Sequence, residues 1–220
     1  MRFFISLLLS TVSVASAYSV EFDYSSADVL EKWPSPTPWL QDRFSDFLQL
    51  MPKNGVVAEI GVEWGSFSKF ILSTTSPKML YLIDCWESQP EEVYVDPDNL
   101  STCEQEKLYN HVMSNFRDQH NVNIIREYSH KAVERFPDEF FDWVYIDANH
   151  GYKTAKEDIE MWWPKVKKGG YLSGHDYVVR PHFGVVQAIN EFLTEKELYF
   201  SFLTMEEGKH DSWAIQKPAD

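Results

Sequence analysis

Short runs of hydrophobic residues alternate along the chain with stretches in which hydrophobic residues recur every three or four positions. Short apolar runs are typical of buried parallel strands, and the longer period is typical of helices that pack against them. The predicted strands are Val56–Ile60, Met79–Ile83, Val122–Ile125, Phe140–Ile146 and Tyr171–Ser173. The predicted helices include Trp39–Met51, a crossover helix from Ser66 that Pro77 ends, and Cys103–Arg117. This alternation predicts an α/β fold built on a parallel sheet.

The first predicted strand ends in a turn with two glycines four residues apart, Gly61 and Gly65. Ligands of open α/β sheets bind outside the carboxyl ends of the strands, so this turn is a candidate ligand site. A dinucleotide-binding turn needs a glycine where this chain has Glu63, and a carboxylate at that position repels a pyrophosphate. An acidic turn suits a nucleoside that carries positive charge, such as S-adenosylmethionine. The alternative is a close-packed turn that binds no ligand.

Polar side chains follow the other predicted strands. Asp84 ends the second strand, where nucleoside-binding folds hold the ribose hydroxyls, although aspartates that cap a turn or helix are also common there. Asp147 and Asp176 follow two neighbouring strands, so we expect them side by side at the ligand edge. Ser129 is placed either to meet an adenine ring or to cap the next helix, and the sequence leaves both roles open.

Four motifs occur in order: Glu59-Ile-Gly-Val with Gly65, the strand-end Asp84, Tyr145-Ile-Asp-Ala-Asn-His-Gly-Tyr, and Gly169-Gly-Tyr-Leu-Ser-Gly-His-Asp-Tyr. Together they resemble the class I S-adenosylmethionine-dependent methyltransferases, and most nearly a branch of small O-methyltransferases linked to sugars and natural products. The likeness covers roughly Trp39 to Lys217. It implies cofactor contacts by Glu59, Gly61, Gly65, Ser66, Asp84, Ser129 and Asp147.

The same resemblance implies a Rossmann-like, doubly wound sheet of about seven strands, with helices on both faces and the last strand antiparallel. Leu198–Leu203 and Ser212–Gln216 fit the last two strands, and Val185–Leu193 fits the helix before them.

A hydroxyl acceptor must lose its proton before it can attack a methyl group, and the resemblance implies two devices for this. His150, three residues after Asp147, is the candidate general base because the pKa of imidazole is near neutral. Asp147 and Asp176 match the metal carboxylates of catechol-type relatives, and such oxygen ligands suit magnesium, manganese or calcium. Those relatives have a third oxygen ligand where this chain has Tyr177. His175 is an alternative third ligand that would favour a softer metal, although the role we expect for His175 is a structural one. If no metal binds, Asp147 contacts the methionine part of the cofactor and Asp176 accepts a hydrogen bond from the substrate.

The N-terminal residues predict a secretory route. Arg2, an apolar run and Ala15-Ser16-Ala17 are typical of a signal peptide over residues 1–17, and no membrane span is expected after its cleavage. We therefore expect the protein in the lumen of the endoplasmic reticulum or Golgi, or secreted. Residues 18–38 are predicted to be an irregular lead-in, and residues 39–220 the methyltransferase domain.

The composition of the chain indicates which classes of binding partner are expected. The net charge of −14 argues against nucleic acid as a main partner, because nucleic acid requires basic patches. Asn99-Leu100-Ser101 is a glycosylation sequon, which predicts a glycoprotein. Cys85 and Cys103, the only two cysteines, form one disulfide or stay reduced.

The sequence allows two interpretations for one further segment and for a group of tryptophans. The acidic segment Trp86–Ser101 is either part of a substrate entrance or a plain surface excursion. Trp143, Trp162 and Trp163 are placed for sugar stacking or, as we predict, for the core.

The predicted function is S-adenosylmethionine-dependent O-methylation of a sugar or another small molecule, with or without a divalent cation such as magnesium. The partner is then a small-molecule or glycan acceptor. The alternative is a secreted protein that keeps the fold and binds ligands without turnover. The presence of Asp84, Asp147, His150 and Asp176 argues against the alternative, because a site that has lost turnover is expected to lose some of them.

Overall fold

The computed structural model describes residues 39–41, 44–96, 98–205 and 211–220. The predicted signal peptide and the predicted lead-in lie outside these residues. All described residues belong to one compact unit, residues 36–220. Within the described ranges, no helix has the length and apolar character needed to cross a membrane.

Among the described residues, eight strands form a single sheet. They are β1 (Trp39–Gln41), β2 (Val56–Ile60), β3 (Met79–Asp84), β4 (Val122–Arg126), β5 (Phe141–Ile146), β6 (Val166–Gly174), β7 (Phe202–Met205) and β8 (Trp213–Gln216). Their order across the sheet is β1-β7-β8-β6-β5-β2-β3-β4. The last strand, β8, runs antiparallel to both of its neighbours, and the other neighbouring pairs are parallel. The predicted doubly wound α/β sheet with an antiparallel last strand is therefore confirmed.

In the described part of the chain, six α-helices connect and cover the strands. They are α1 (Phe44–Leu50), α2 (Ser66–Thr75), α3 (Thr102–Phe116), α4 (Ser129–Ala132), α5 (Tyr152–Trp162) and α6 (Val185–Lys196). Helices α1 and α2 pack together, as do α5 and α6. Parallel strands of the sheet all end at its carboxyl edge, so the loops that lead from these strands to the helices gather at that edge.

Three local predictions are wrong. The strand predicted at Leu198–Leu203 lies at Phe202–Met205. Trp39–Gln41 is an edge strand rather than the start of a helix, because it pairs in parallel with β7, in the register Trp39 with Leu203. Such a distant partner leaves no periodic signal in the local sequence. The segment Lys168–Gly170 lies inside β6 rather than in a turn before it. Gly169 takes a positive φ of 76°, and the pairing of β5 with β6 is irregular at this point.

The core is rich in aromatic side chains. Trp143 and Trp162 are fully buried, which confirms the prediction that they belong to the core. The ring of Trp163 packs edge-on against Phe192. Cys85 and Cys103 are both free, so the interpretation as a disulfide does not hold in this structure.

Candidate active site

A cavity of about 600 Å³ opens at the carboxyl edge of the sheet, where β2 to β6 end. Most of the charged side chains in its lining are acidic. The predicted site residues that line it are Glu59, Gly61, Ser66, Asp84, Ser129, Asp147, His150 and Asp176. Gly65 is not part of the lining. The sequence therefore predicted most of one continuous site from positions spread over much of the chain.

Main-chain contacts form the floor of the cavity. Gly61 donates its amide to the carbonyl of Ile83 at 2.9 Å, and Asp147 donates its amide to the carbonyl of Ile60 at 2.7 Å. Gly61 has a φ of 85°, and a Cβ atom built on it would lie 1.8 Å from the carbonyl oxygen of Asp147. Gly65, with a φ of 71°, lies against the ring of Phe116. Both glycines are required by backbone conformation and close approach.

Asp84 holds the glycine turn in place. One carboxyl oxygen accepts the amides of Val62 at 2.9 Å and Glu63 at 3.1 Å, and the other accepts the amide of Trp86 at 2.8 Å. Glu63 takes a left-handed φ of 52°, a conformation that is uncommon for residues other than glycine. Its amide donates to the Asp84 carboxylate in this conformation. The turn role that the sequence left open for Asp84 is thus observed. A carboxylate can accept about four hydrogen bonds, so three donors leave Asp84 able to accept another. Its contact with the ribose stays a prediction.

Glu59 is buried beneath the turn. Its carboxyl group accepts a hydrogen bond of 2.5 Å from the Ser68 hydroxyl. Burial raises the pKa of Glu59 well above its ordinary value, the Ser68 hydrogen bond opposes this, and the negative charges of Asp147 and Asp84 add to it. Glu59 therefore ties helix α2 to strand β2 from inside the protein.

Ser129 lies at the far end of the cavity, on the side of β4. It is the first residue of α4, whose N-cap is Tyr128, so its side chain does not cap the helix. The hydroxyl of Ser129 donates to Asp158 at 2.5 Å and accepts the indole N–H of Trp162 at 2.8 Å. Its predicted contact with adenine stays a prediction.

Asp147, His175 and Asp176 converge at the opposite end of the cavity, after β5 and β6. Their nearest ligand atoms all lie within 4.8 Å of one another. Nδ1 of His175 is 3.8 Å from Oδ1 of Asp147 and 3.4 Å from Oδ2 of Asp176. Burial raises the pKa of Asp147 to about 6; His175 counteracts this shift, and the charge of Asp176 reinforces it. Two carboxyl groups and one imidazole thus face a common point.

His150 is clamped between two carboxylates. Its Nε2 lies 2.8 Å from Asp176, and its Nδ1 lies 3.0 Å from Asp96. Burial lowers the pKa of His150, but the bonds to Asp176 and Asp96 outweigh burial and raise the pKa to about 9. Burial raises the pKa of Asp176, but the hydrogen bonds and charges of His150 and His175 outweigh burial and hold this pKa below its ordinary value. Both nitrogens of His150 then donate, so this conformation leaves it no lone pair for the proton of a hydroxyl.

The acidic segment after β3 forms part of the cavity wall, through Gln89, Tyr94, Asp96 and Asp98. Asn99 braces it: the side-chain amide donates to the carbonyls of Gln89 at 2.8 Å and Tyr94 at 3.0 Å. A glycan on Asn99 replaces one of the two hydrogens of this amide, so at least one of these bonds is lost on glycosylation.

Two site residues were missed by the sequence predictions, Asp96 and Asp158. Asp96 had no local signal, because its partner His150 is 54 positions away. Asp158 had one: it lies between Ala155 and Trp162 on the buried stripe of α5, where a carboxylate is out of place unless it is bonded.

Comparison with known proteins shows which family this sequence matches. A family described as a methyltransferase domain matches residues 58–177. This stretch runs from β2 through Tyr177 and contains both ends of the cavity. Among curated proteins, none matches the sequence.

Solved structures share the fold at low sequence identity. An S-adenosylmethionine-dependent methyltransferase from Aquifex aeolicus has a TM-score of 0.55 at 10% identity, over 79% of this chain and 89% of that chain. An N-methyltransferase from Bradyrhizobium japonicum has a TM-score of 0.53 at 16% identity, over 79% and 92%. Fibrillarin from Aeropyrum pernix, with natively bound S-adenosylmethionine, has a TM-score of 0.52 at 14% identity, over 74% and 67%.

Proposed function

Because the chain belongs to the family of methyltransferase domains, we propose that it transfers the methyl group of S-adenosylmethionine to a hydroxyl oxygen of a sugar or another small molecule. The predicted class I S-adenosylmethionine-dependent methyltransferase is confirmed by its family. The hydroxyl acceptor, the use of a cation and the roles of individual residues are our proposal. The observation that carries the proposal is the convergence of Asp147, His175 and Asp176 at the end of the cavity.

The acidic cavity suits the cofactor's charge. S-adenosylmethionine carries a sulfonium and an ammonium group, and carboxylates that line a partly enclosed cavity favour both. The glycine turn at Gly61 allows close approach of the cofactor to the backbone, and we assign the ribose hydroxyls to Asp84. The methyl group must point toward the end of the cavity where the acceptor binds, which we assign to the side of Asp147 and Asp176.

The donor set fits a divalent cation. Two carboxylates and an imidazole on one side of a cavity match the ligands of magnesium, manganese or a softer transition metal. The raised pKa of Asp147, which is caused by burial and by the nearby charge of Asp176, is the cost of holding two carboxylates together without a cation. Asp147, Asp176 and His175 would hold the cation, which would lower the pKa of a bound hydroxyl.

The protein's own residues position the acceptor. Methyl transfer is an in-line displacement, so most of the catalysis required is alignment of acceptor oxygen and methyl carbon. His150, as an imidazolium, neutralises Asp176 and keeps its carboxylate pointed into the cavity. We therefore assign His150 a positioning role and retain it as a general base only at a pH high enough to remove its proton.

The testing experiment is calorimetric titration with S-adenosylhomocysteine, followed by turnover assays on hydroxylated sugars with magnesium or with EDTA. Asp84→Ala is a poor probe of the cofactor, because it also releases three amides that hold the glycine turn. Asp176→Asn is sharper: we expect cofactor affinity within about threefold of wild type and cation-dependent turnover reduced by about a hundredfold. Asp118→Asn, at an exposed position, is the matched control.

Each outcome separates the alternatives. Binding of S-adenosylhomocysteine without turnover on any acceptor favours the non-catalytic binding protein. Turnover that survives EDTA removes the cation from the proposal and leaves the methyl transfer. Absence of S-adenosylhomocysteine binding contradicts the assignment of the cavity.

We also propose a secretory location, which rests on the residues before Tyr18. The test is the N-terminal sequence of the protein recovered from a eukaryotic host. Recovery outside the cell with Tyr18 as the first residue supports the proposal, and intracellular recovery with residues 1–17 intact contradicts it.

A further inference from the structure

Asp158 is a buried carboxyl group that the methyl-transfer chemistry does not use. It lies on α5, is 2% exposed and lines the cavity. One carboxyl oxygen accepts the short bond from Ser129, and Ser129 is itself oriented by the indole of Trp162. No hydrogen-bond partner for the second oxygen is found in the described part of the chain.

This arrangement is costly unless the second oxygen meets a ligand. No fully enclosed side-chain oxygen or nitrogen among the described residues lacks a partner, so the second oxygen borders the cavity. Burial raises the pKa of Asp158 to about 7, the Ser129 bond opposes the shift, and the charge of Glu157 adds to it. A donor in the cavity would compensate for the water that this oxygen has lost.

The position of Asp158 corresponds to one end of an extended ligand. Ser129 follows β4, whereas Asp176 follows β6, with β3, β2 and β5 between them. Strands about 4.8 Å apart place these two ends roughly 19 Å from each other along the sheet edge. Under the proposed function, the sulfonium lies at the Asp176 end and the ribose near Asp84 on β3. The base of the nucleoside is then directed toward Ser129 and Asp158.

We propose that Asp158, oriented by Ser129, selects adenine by accepting a hydrogen bond from the exocyclic amino group of the base. This inference rests on the cofactor assignment made above. It gives the cavity a specificity-determining residue on α5, in addition to the contacts of the strand-end loops. Hypoxanthine carries a carbonyl oxygen in place of that amino group, so above about pH 7, where Asp158 is ionised, it would set two acceptors against each other.

The test compares S-adenosylhomocysteine with S-inosylhomocysteine by calorimetry on the full mature chain at about pH 8.5, where Asp158 is ionised. We expect wild type to prefer the adenine ligand by at least about tenfold, because a buried acceptor left unpaired is costly. In Asp158→Asn the side-chain amide can turn its N–H toward the hypoxanthine oxygen, so the preference should fall by at least about fivefold. Glu160→Gln, exposed on the same helix, is the matched control and should keep the wild-type preference.

Three results would overturn the proposal. Equal affinity of wild type for both ligands does so without any variant, so the proposal can be refuted even if Asp158→Asn does not fold. An unchanged preference in Asp158→Asn does so as well. If both affinities have then fallen by the same factor, Asp158 has a structural role through Ser129 and Trp162. Binding of neither ligand by wild type contradicts the cofactor assignment itself, which distinguishes that failure from the others.

Discussion

The carboxylate of Asp96 lies 3.0 Å from Nδ1 of His150, although the two residues are 54 positions apart. This bond joins the acidic segment after β3 to the end of β5, across the mouth of the cavity. A second bond supports it, from the side-chain amide of Asn149 to the carbonyl of Val93 at 3.1 Å. The acidic segment is therefore a wall of the site rather than a plain surface excursion.

Asp96→Asn should weaken acceptor binding more than cofactor binding. The substitution replaces a bond between two charged groups by a weaker one from the His150 imidazolium to a neutral amide oxygen, which loosens the wall on the acceptor side. We expect the acceptor KM to rise by about tenfold and the Kd of S-adenosylhomocysteine to change less than about threefold. Steady-state kinetics and calorimetry measure the two. Glu92→Gln, exposed in the same segment, is the control, and an unchanged KM in Asp96→Asn would contradict the role of this bond.

Gly61→Ala should abolish both cofactor binding and activity. Its new methyl group would lie 1.8 Å from the carbonyl oxygen of Asp147, a main-chain atom that cannot move without displacing β5. Gly169→Ala is the matched control, since Gly169 also has a positive φ but a Cβ there meets nothing within 4 Å. We expect Gly169→Ala to cost only about 1 kcal/mol of stability. Urea unfolding and calorimetry decide, and equal behaviour of the two variants would refute the steric explanation.

Stability should fall with rising pH because of Asp158. Its pKa is raised to about 7 in the folded protein, so between about pH 4 and pH 7 the folded state holds a proton that the unfolded state has released. The unfolding free energy of wild type should therefore decline across this window relative to Asp158→Asn, by on the order of 2 kcal/mol between pH 5 and pH 8. Urea titrations at the two pH values measure it. A constant difference between wild type and variant would show that Asp158 does not titrate in this range.

Asn99→Ala should loosen the acidic segment whether or not the sequon is used. The variant removes the donor that bridges the carbonyls of Gln89 and Tyr94. We expect limited proteolysis within residues 86–101 to become about tenfold faster, with little change in cofactor affinity. Asn110→Ala is the control, because that amide bonds only within its own helix, to Glu106. Equal cleavage rates in the two variants would contradict the bracing role of Asn99.

The strand ends of the site were predictable because they follow local rules. Apolar runs mark β2, β3 and β5, and the residue after such a run must emerge at the carboxyl edge of the sheet. The sequence therefore predicted that Asp147 and Asp176 would converge. It predicted that His150 would lie in the site. It did not predict the hydrogen bonds of His150, because the two carboxylates that bind its nitrogens belong to other segments.

The features that the sequence did not predict depend on contacts between segments that are far apart in the chain. Trp39–Gln41 became a strand only because β7 supplies its backbone partners, and Asp96 entered the site only because a loop without periodicity folds back to His150. Gly169 was a turn signal that the chain uses as an irregularity inside β6. Local patterns contain no record of such partners.

The last strand has a consequence for truncated forms of the protein. β8 lies between β6 and β7, and the indole of Trp213 donates to the carbonyl of His175 at 3.1 Å. Residues 213–216 therefore fill an interior position of the sheet and also support His175 in the cavity wall. A form of the protein that stops before Trp213 would lose both the strand that joins β7 to β6 and the hydrogen bond that holds His175.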